Sequence, residues 1–531
     1  MRTPIFALLA LAVLAAIAIV GLPDRASPPA LATGVASFAS GGRHTCAIMA
    51  AGGVQCWGRH SEGQLGDGTQ ELRTAPVQVC QDYDDDAGVC LQTFSGATSL
   101  ALGGQHSCAV MSSGGVACWG SNFQGRLGDG QSCTPNCTTP ADVCANPLCT
   151  SLLGGVQSIG AGQGHTCSIM NDGSVRCWGG NGSGQLGDNT TLTRSTPVGV
   201  VSFTGDAQAV VGGEAHTCAL MSDGGVKCWG ANGDGQLGDN RACGAICRTP
   251  VDVCADAACA GPLSDAVAIA AAANHTCAIV TGGQVTCWGN NSAAELVPLA
   301  FCSPDCPAPE DVCQVYNQPA TECAEVVTGA TALVAGETHH CIRTGAGGVR
   351  CWGLNDEGQL GDNRACAQTC TTPVTVCGDP TCVVPLSGAT ALAAGEDHTC
   401  AMAGPIKCWG RAESHQLGDG TTGEMVCMCR TAPVDVQIKV SPQPTPPRTA
   451  TRTPTGTPPA PPPGCLLIGD ANGDGNVNAI DASLILQRSA GLIGTLPCPA
   501  QADVNGDGNV NAIDASLDLQ YTAGLIDTLP P

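Results

Sequence analysis

Charged side chains make up only 12% of this 531-residue chain, and aromatic ones only 3%. Cations are the scarcer sign, with 21 Lys and Arg against 45 Asp and Glu and a formal net charge of −24. That balance argues against the phosphate-neutralising surface that a nucleic acid or an anionic membrane requires, and it suits a protein that binds cations. Beyond seven Trp the whole chain has six Phe and three Tyr, which weakens a sugar-stacking face. A phosphate loop, a nucleophile elbow and a His-Glu-x-x-His motif are missing, so no catalytic residue is nominated and an enzymatic role is left open. Long apolar runs are missing too, with one exception. Residues 5–22 are almost wholly apolar behind Arg2, and Ala30-Leu31-Ala32 offers a small-residue cleavage site. Residues 1–32 therefore read as an export signal, with an uncleaved anchor as the alternative. Once the signal is cleaved no stable membrane span remains, and the rest is expected to be extracellular.

Glycine, proline and cysteine are plentiful, at 72, 35 and 36 residues. An even, regularly spaced cysteine set in an exported chain reads as disulfides, and zinc clusters rarely recur in seven matched copies. Seven pairs bracket a short loop: Cys46/Cys56, Cys108/Cys118, Cys167/Cys177, Cys218/Cys228, Cys277/Cys287, Cys341/Cys351 and Cys400/Cys408. Their first members stand 51 to 64 residues apart, and a Trp-Gly follows every second member, using all seven Trp. In the first copy His44-Thr45-Cys46-Ala47-Ile48-Met49 and Val54-Gln55-Cys56-Trp57 read as strands around a glycine-rich turn. With 50–52 as the loop, Cys46 faces Cys56, which suits a disulfide contributing about 2–3 kcal/mol. Cys400 and Cys408 are two residues closer, and an even deletion keeps every side chain on its face. A turn such as Gly63-Gln64-Leu65-Gly66-Asp67-Gly68, an extended segment such as Pro76-Val77-Gln78-Val79 and an apolar strand such as 97–102 bring the content to about four strands per repeat. An all-β, seven-bladed propeller over residues 33–440 is expected.

The pattern G-x-x-H-[TS]-C-A, G-G-V-x-C-W-G-x-N, G-Q-L-G-D closely resembles the repeats of the regulator of chromosome condensation family, which form seven-bladed propellers. Copy five departs most, with Ala294-Glu295-Leu296-Val297 in place of the Gln-Leu-Gly-Asp region. No Pro-Val strand precedes the first repeat, so residues 433–438 are expected to close the ring by completing the first blade. A second cysteine cassette recurs at Cys133, Cys137, Cys144, Cys149, at Cys243, Cys247, Cys254, Cys259 and at Cys366, Cys370, Cys377, Cys382. Cys302, Cys306, Cys313, Cys323 form a stretched version, and Cys80 and Cys90 look like half of one. These are expected to staple inter-strand loops on one rim, with their pairing open among three connectivities per set.

His44, His106, His165, His216, His275, His340 and His398 are taken to share one repeat position. A structural role, each histidine tied to its blade's own hairpin, is favoured over a metal ring. Asp67, Asp129, Asp188, Asp239, Asp362 and Asp419 follow Leu-Gly and read as Asp/Gly turns rather than calcium sites. Asp82, Asp84, Asp85 and Asp86 read as a solvated loop tip.

Residues 441–464 are a Pro/Thr-rich linker, extended and unable to form a core. The module 465–531 that follows contains two loops of EF-hand chemistry. Asp470, Asn472 and Asp474 place oxygen ligands at loop positions one, three and five, Asn476 offers its carbonyl at seven, Asn478 acts through water at nine, and Asp481 stands at twelve. Asp503, Asn505, Asp507, Asn509, Asn511 and Asp514 repeat this set, and 23 of 28 positions are identical between 470–497 and 503–530. Each loop leads into a short amphipathic helix, 482–489 and 515–522. Duplicated loop–helix units with Asp at position twelve, after such a linker, are similar to dockerins. The resemblance implies a small all-α fold that needs two Ca²⁺ ions and docks onto a cohesin-type partner. It places the partner contacts at Ala479, Ile480, Ala512 and Ile513. The near-identical halves suggest a face that docks in either orientation, and Cys465 and Cys498 are candidates to clasp the module. Together the two resemblances imply a secreted bacterial protein, non-catalytic, held at the cell surface through a cohesin and offering its propeller to an unknown protein ligand. The alternative is a component of an extracellular polysaccharide-degrading assembly.

Overall fold

The computed structural model describes residues 34–438, apart from residue 204 and segments 293–295, 297–303, 317–322, 364–368 and 421–428, together with Ile485. The chain divides into two units, Met1–Ser441 and Pro442–Pro531. Ile485, buried and helical, lies within the first helix expected of the second unit.

The first unit is a ring of seven antiparallel sheets, each made of four strands consecutive in sequence. Blade one shows the plan, with Val35–Ser40 innermost, then His44–Met49, Val54–Gly58 and Arg73–Gln78. The other inner strands are Ala97–Leu102, Val156–Ala161, Ala207–Gly212, Ala266–Ala271, Ala330–Ala335 and Ala391–Ala394. They are rich in Ala and Gly because they converge on one axis. A Cβ at Gly160 would lie 2.1 Å from the Val210 carbonyl oxygen of the next blade.

Residues 433–438 do not complete the first blade. Cys429–Asp435 pairs with Ile406–Arg411 inside the seventh blade, and Arg73–Gln78 pairs with Val54–Gly58 inside the first. The Pro-Val strand of each repeat follows its own hairpin, as in the pairing of Val77 with Cys56, so no repeat needs a strand from another. Contacts across the seam close the ring instead.

The hydrophobic cores lie between blades. Cys46, Ile48, Val54, Leu65 and Val79 of the first blade pack with Ala109, Ala117 and Trp119 of the second, and Trp57 joins Cys400, Ile406 and Leu417 across the last seam. All seven Trp have 0% exposure. The Gln-Leu-Gly-Asp turn is the socket for the next blade's Trp: Leu65 is buried, and Trp119 Nε1 donates to the Gln64 carbonyl at 3.0 Å. Gly66 has φ +70°, and a Cβ there would meet the Trp119 ring at 2.8 Å. In copy five Leu296 remains fully buried, and its N–H donates to Asn291 Oδ1 at 3.0 Å. Leu296 and Asn291 therefore keep that contact although Gly-Asp is gone.

All seven hairpin pairs face each other in register and are disulfide-bonded. They are Cys46–Cys56, Cys108–Cys118, Cys167–Cys177, Cys218–Cys228, Cys277–Cys287, Cys341–Cys351 and Cys400–Cys408. Cα separations are 4.1 Å in the first pair and 4.0 Å in the second. Both members of a pair have a further role that spacing does not show, since they belong to the core shared with the next blade. Cys118 packs in the cluster that receives Trp178, Cys177 in that of Trp229, and Cys351 in that of Trp409. Each is also paired on its other side with the outer strand, Cys118 with Ala141, Cys177 with Val198 and Cys351 with Val374. These cysteines are therefore core residues of the seams as well as staples of their own hairpins.

In the cassettes the nearest neighbours pair: Cys133–Cys137, Cys144–Cys149, Cys243–Cys247, Cys254–Cys259 and Cys377–Cys382. They flank the two ends of an outer strand such as Asn136–Asp142, rather than gathering on one rim. Cys80–Cys90 and Cys313–Cys323 close small extra hairpins.

Candidate functional site

The seam between blades carries the repeated polar residues. His44 Nε2 meets Ser107 Oγ of the next blade at 2.8 Å, and His106, His165 and His216 meet Thr166, Thr217 and Thr276 at 2.8, 2.8 and 2.9 Å. His339 meets Thr399 at 2.7 Å, and His398 returns to Thr45 at 2.9 Å, closing the circle. The bonds cross between blades and do not tie each histidine to its own hairpin. The sixth member is His339, not His340. His339 pairs with Gly353 as His216 pairs with Gly230, while His340 sits opposite Trp352, in the place Thr217 takes opposite Trp229.

These contacts fix a proton. Thr217 Oγ1 donates its hydrogen to the Gln185 carbonyl at 2.8 Å, so it accepts from His165 Nε2. The imidazole is then a neutral Nε2–H tautomer. Burial lowers the pKa of His44, His216, His275, His339 and His398 to about 3 and that of His165 to about 4, and drives His106 well below its ordinary value. The unfolded chain takes up these protons near pH 6.5 and the folded one does not. Stability is therefore complete above about pH 6.5 and falls as the pH drops toward 3–4, with each buried histidine adding to the loss. Melting temperatures of the full chain between pH 8 and pH 4 should show this decline, and a flat profile would contradict it.

The Leu-Gly-Asp carboxylates serve their own turns. Asp129, Asp188, Asp239 and Asp362 accept from Asn122, Asn181, Asn232 and Asn355 at 2.8–3.1 Å. Asp67 pairs with His60 at 2.7 Å, and Asp419 with Arg430 at 2.9 Å. At the acidic tip, Asp84 Oδ1 accepts the N–H groups of Asp86 and Ala87 at 3.0 and 2.9 Å.

One end of the axis opens into a cavity of about 140 Å³ whose lining includes Glu214, Glu337 and Glu396. Backbone bonds run round this mouth from Glu214 to Ala273, Glu337 to Glu396 and Glu396 to Gly42, each 2.9 Å. Desolvation first, then Glu396, Asp397 and Glu214, raises the Glu337 pKa, and Arg43 opposes them. Arg43 pairs with Glu396 and Arg411 with Asp397, both at 3.1 Å. The mouth offers negative charge and acceptors to a cationic group. Sequence reading missed it because these glutamates occupy the variable second position of Gly-x-x-His; aligning the seven copies in columns exposes them.

The expected calcium ligands from Asp470 to Asp514, the contact positions Ala479, Ile480, Ala512 and Ile513, the linker and the export signal lie outside the described residues. Among the described residues no helix is long and apolar enough to cross a membrane.

Comparison with known proteins agrees with the ring. Residues 85–450 match the RCC1-like domain, and residues 35–64 and 51–110 match the regulator of chromosome condensation (RCC1) repeat. The chain belongs to the RCC1-like family. This RCC1-like chain is 27% identical over 392 residues to the secretion-regulating guanine nucleotide exchange factor of Bos taurus, covering 71% of itself and 78% of the relative. It is 32% identical over 207 residues to the ultraviolet-B receptor UVR8 of Arabidopsis thaliana, spanning 38% of itself and 42% of that receptor. Among solved structures, human WBSCR16 superposes with a TM-score of 0.56 at 18% identity, covering 73% of this chain and 95% of that one. Yeast RCC1 (Prp20), solved with Kap60 bound, gives 0.52 at 20% identity, covering 68% and 78%. These two likenesses show the fold. Residues 468–518 match the Dockerin type I domain.

Proposed function

We propose that this chain is a non-catalytic extracellular adaptor whose dockerin module docks onto a cohesin-type protein while the RCC1-like propeller presents a platform to a second protein. The observation that carries this is the joining of a Dockerin type I domain to an RCC1-like ring in one chain. The donor set of the two tail loops is all oxygen, from Asp470 to Asp481 and from Asp503 to Asp514, which fits Ca²⁺. The ion would order each loop and present Ala479, Ile480, Ala512 and Ile513 to the cohesin. A sugar-binding platform is disfavoured, since every Trp is buried and Phe123 is the exposed large aromatic among the described residues.

Retention of the full chain on an immobilised cohesin-type module tests this. Two equivalent docking faces mean that Ile480→Asp or Ile513→Asp alone costs about twofold in affinity, a statistical loss of one orientation. Both together are expected to cost at least about a hundredfold. Wild-type binding by the double variant would remove the docking role.

A further inference from the structure

Six of the seven seams are alike and one is not. Where the others have a hydroxyl, the seam between blades five and six has His340. At the preceding seam the hydroxyl of Thr276 lies 2.9 Å from His216 Nε2 and 3.8 Å from Cys218 Sγ. At the following seam Thr399 lies 2.7 Å from His339 Nε2 and 3.9 Å from Cys341 Sγ. Residue 340 therefore stands where a side chain meets both a histidine and a hairpin cysteine of the neighbouring blade. Its imidazole ring lies 4.5 Å from that of His275, centroid to centroid, and stacks on Trp352 at 5.2 Å. A nitrogen of His340 and the sulfurs of Cys277 and Cys287 all fall within 4.8 Å of one another, and all three residues are buried. His275 is 1% exposed, and its Nε2 has no hydrogen-bond partner. Each of its six counterparts aims that atom at the hydroxyl of the next blade, so His275 Nε2 is aimed at the His340 position.

We infer that this seam is a site for a zinc-class divalent ion when Cys277 and Cys287 are thiols, with His340 as the third ligand and His275, whose ring faces that of His340, turning in as the fourth. Two cysteines and two histidines are the donor set of closed, four-coordinate zinc sites. Binding releases the two thiol protons and leaves both imidazoles neutral. Two thiolates then cancel the charge of the ion, which permits burial. No reductant is required, because the cysteines are thiols as synthesised and the ion competes with formation of this one disulfide. With the disulfide formed, as in the present structure, two of the four donors are withdrawn. The other six hairpins have Ser or Thr in place of His340, so the competition is confined to blade five.

The test is oxidative refolding of the full chain in a thiol/disulfide buffer with Zn²⁺ or with chelator, followed by alkylation and peptide mapping. With stoichiometric Zn²⁺ the Cys277–Cys287 disulfide is expected to form at least about tenfold less than Cys218–Cys228 in the same molecules. With chelator the two should form alike. Co²⁺ in place of Zn²⁺ should give the intense visible bands of a tetrahedral thiolate site. In H340T both the selective protection and the bands should vanish. Equal oxidation of the two hairpins in the presence of Zn²⁺ overturns the inference, and it does so in the wild-type chain whether or not H340T folds.

Discussion

Chelating calcium is expected to release the full chain from a cohesin-type module, with affinity falling by about a thousandfold or more. Each tail loop sets three carboxylates at short spacing, Asp470, Asp474 and Asp481 in one and Asp503, Asp507 and Asp514 in the other. Without a cation their mutual repulsion opposes closing the loop, so ion binding and folding are expected to be one event. The proposed docking face, which includes Ile480 and Ile513, is expected to be lost with the loops. Magnesium should rescue poorly, because it demands near-ideal octahedral geometry and parts reluctantly with its water. Asp470→Ala combined with Asp503→Ala should reproduce chelation in calcium-replete buffer. Surface-bound retention measured with calcium, magnesium and chelator separates these outcomes. Binding that ignores chelator would leave the tail without its assigned role.

Verified reduction of the hairpin disulfides should unfold the ring at temperatures where the oxidised form is intact. Each closes a loop of ten residues or fewer in sequence separation, worth about 2–3 kcal/mol by loop entropy. A folded domain typically has a margin of about 5–15 kcal/mol, so losing several exceeds it. The hairpins also hold the strands that present Thr217, Cys218 and Trp229 to the neighbouring blade, so a loosened hairpin weakens its seam. Cys118, Cys177 and Cys351 add to this, because each lines the core that holds the next blade's Trp. Blades coupled only to neighbours propagate such a loss round the ring. Replacing one pair, Cys218→Ala with Cys228→Ala, should cost about 2–3 kcal/mol in a denaturant titration. An unchanged melting temperature after full reduction would remove the stapling role.

The blade plan is legible in the sequence because its signals are local. A cysteine, a partner ten residues on and a Trp-Gly define one hairpin, and the facing register follows from strand periodicity alone. The proposed calcium loops rest on equally local signals, since ligand positions are counted within twelve residues. The seams are not legible, because His44 finds Ser107 and Trp119 finds Gln64 across 63 and 55 residues. The doublet His339-His340 shows the limit sharply. Either residue satisfies the pattern loosely, yet a slip of one moves the ring to the opposite face of the strand. Counting back two from Cys341, as from Cys218 to His216, gives His339 and leaves His340 as the exception. The acidic mouth was hidden because Glu214, Glu337 and Glu396 are far apart in sequence and share only a position relative to glycine.

Among the described residues no strand is exchanged between the first and last blades, and this makes the ring indifferent to where it is cut. The seam from blade seven to blade one uses the same joints as the rest: His398 on Thr45, Gly418 beneath Trp57, and the Gly420 N–H on the Thr74 carbonyl at 3.2 Å. A chain rejoined there and reopened between any other two blades would keep all seven sheets whole. Such circular permutants are the natural way to present any chosen blade beside the tether.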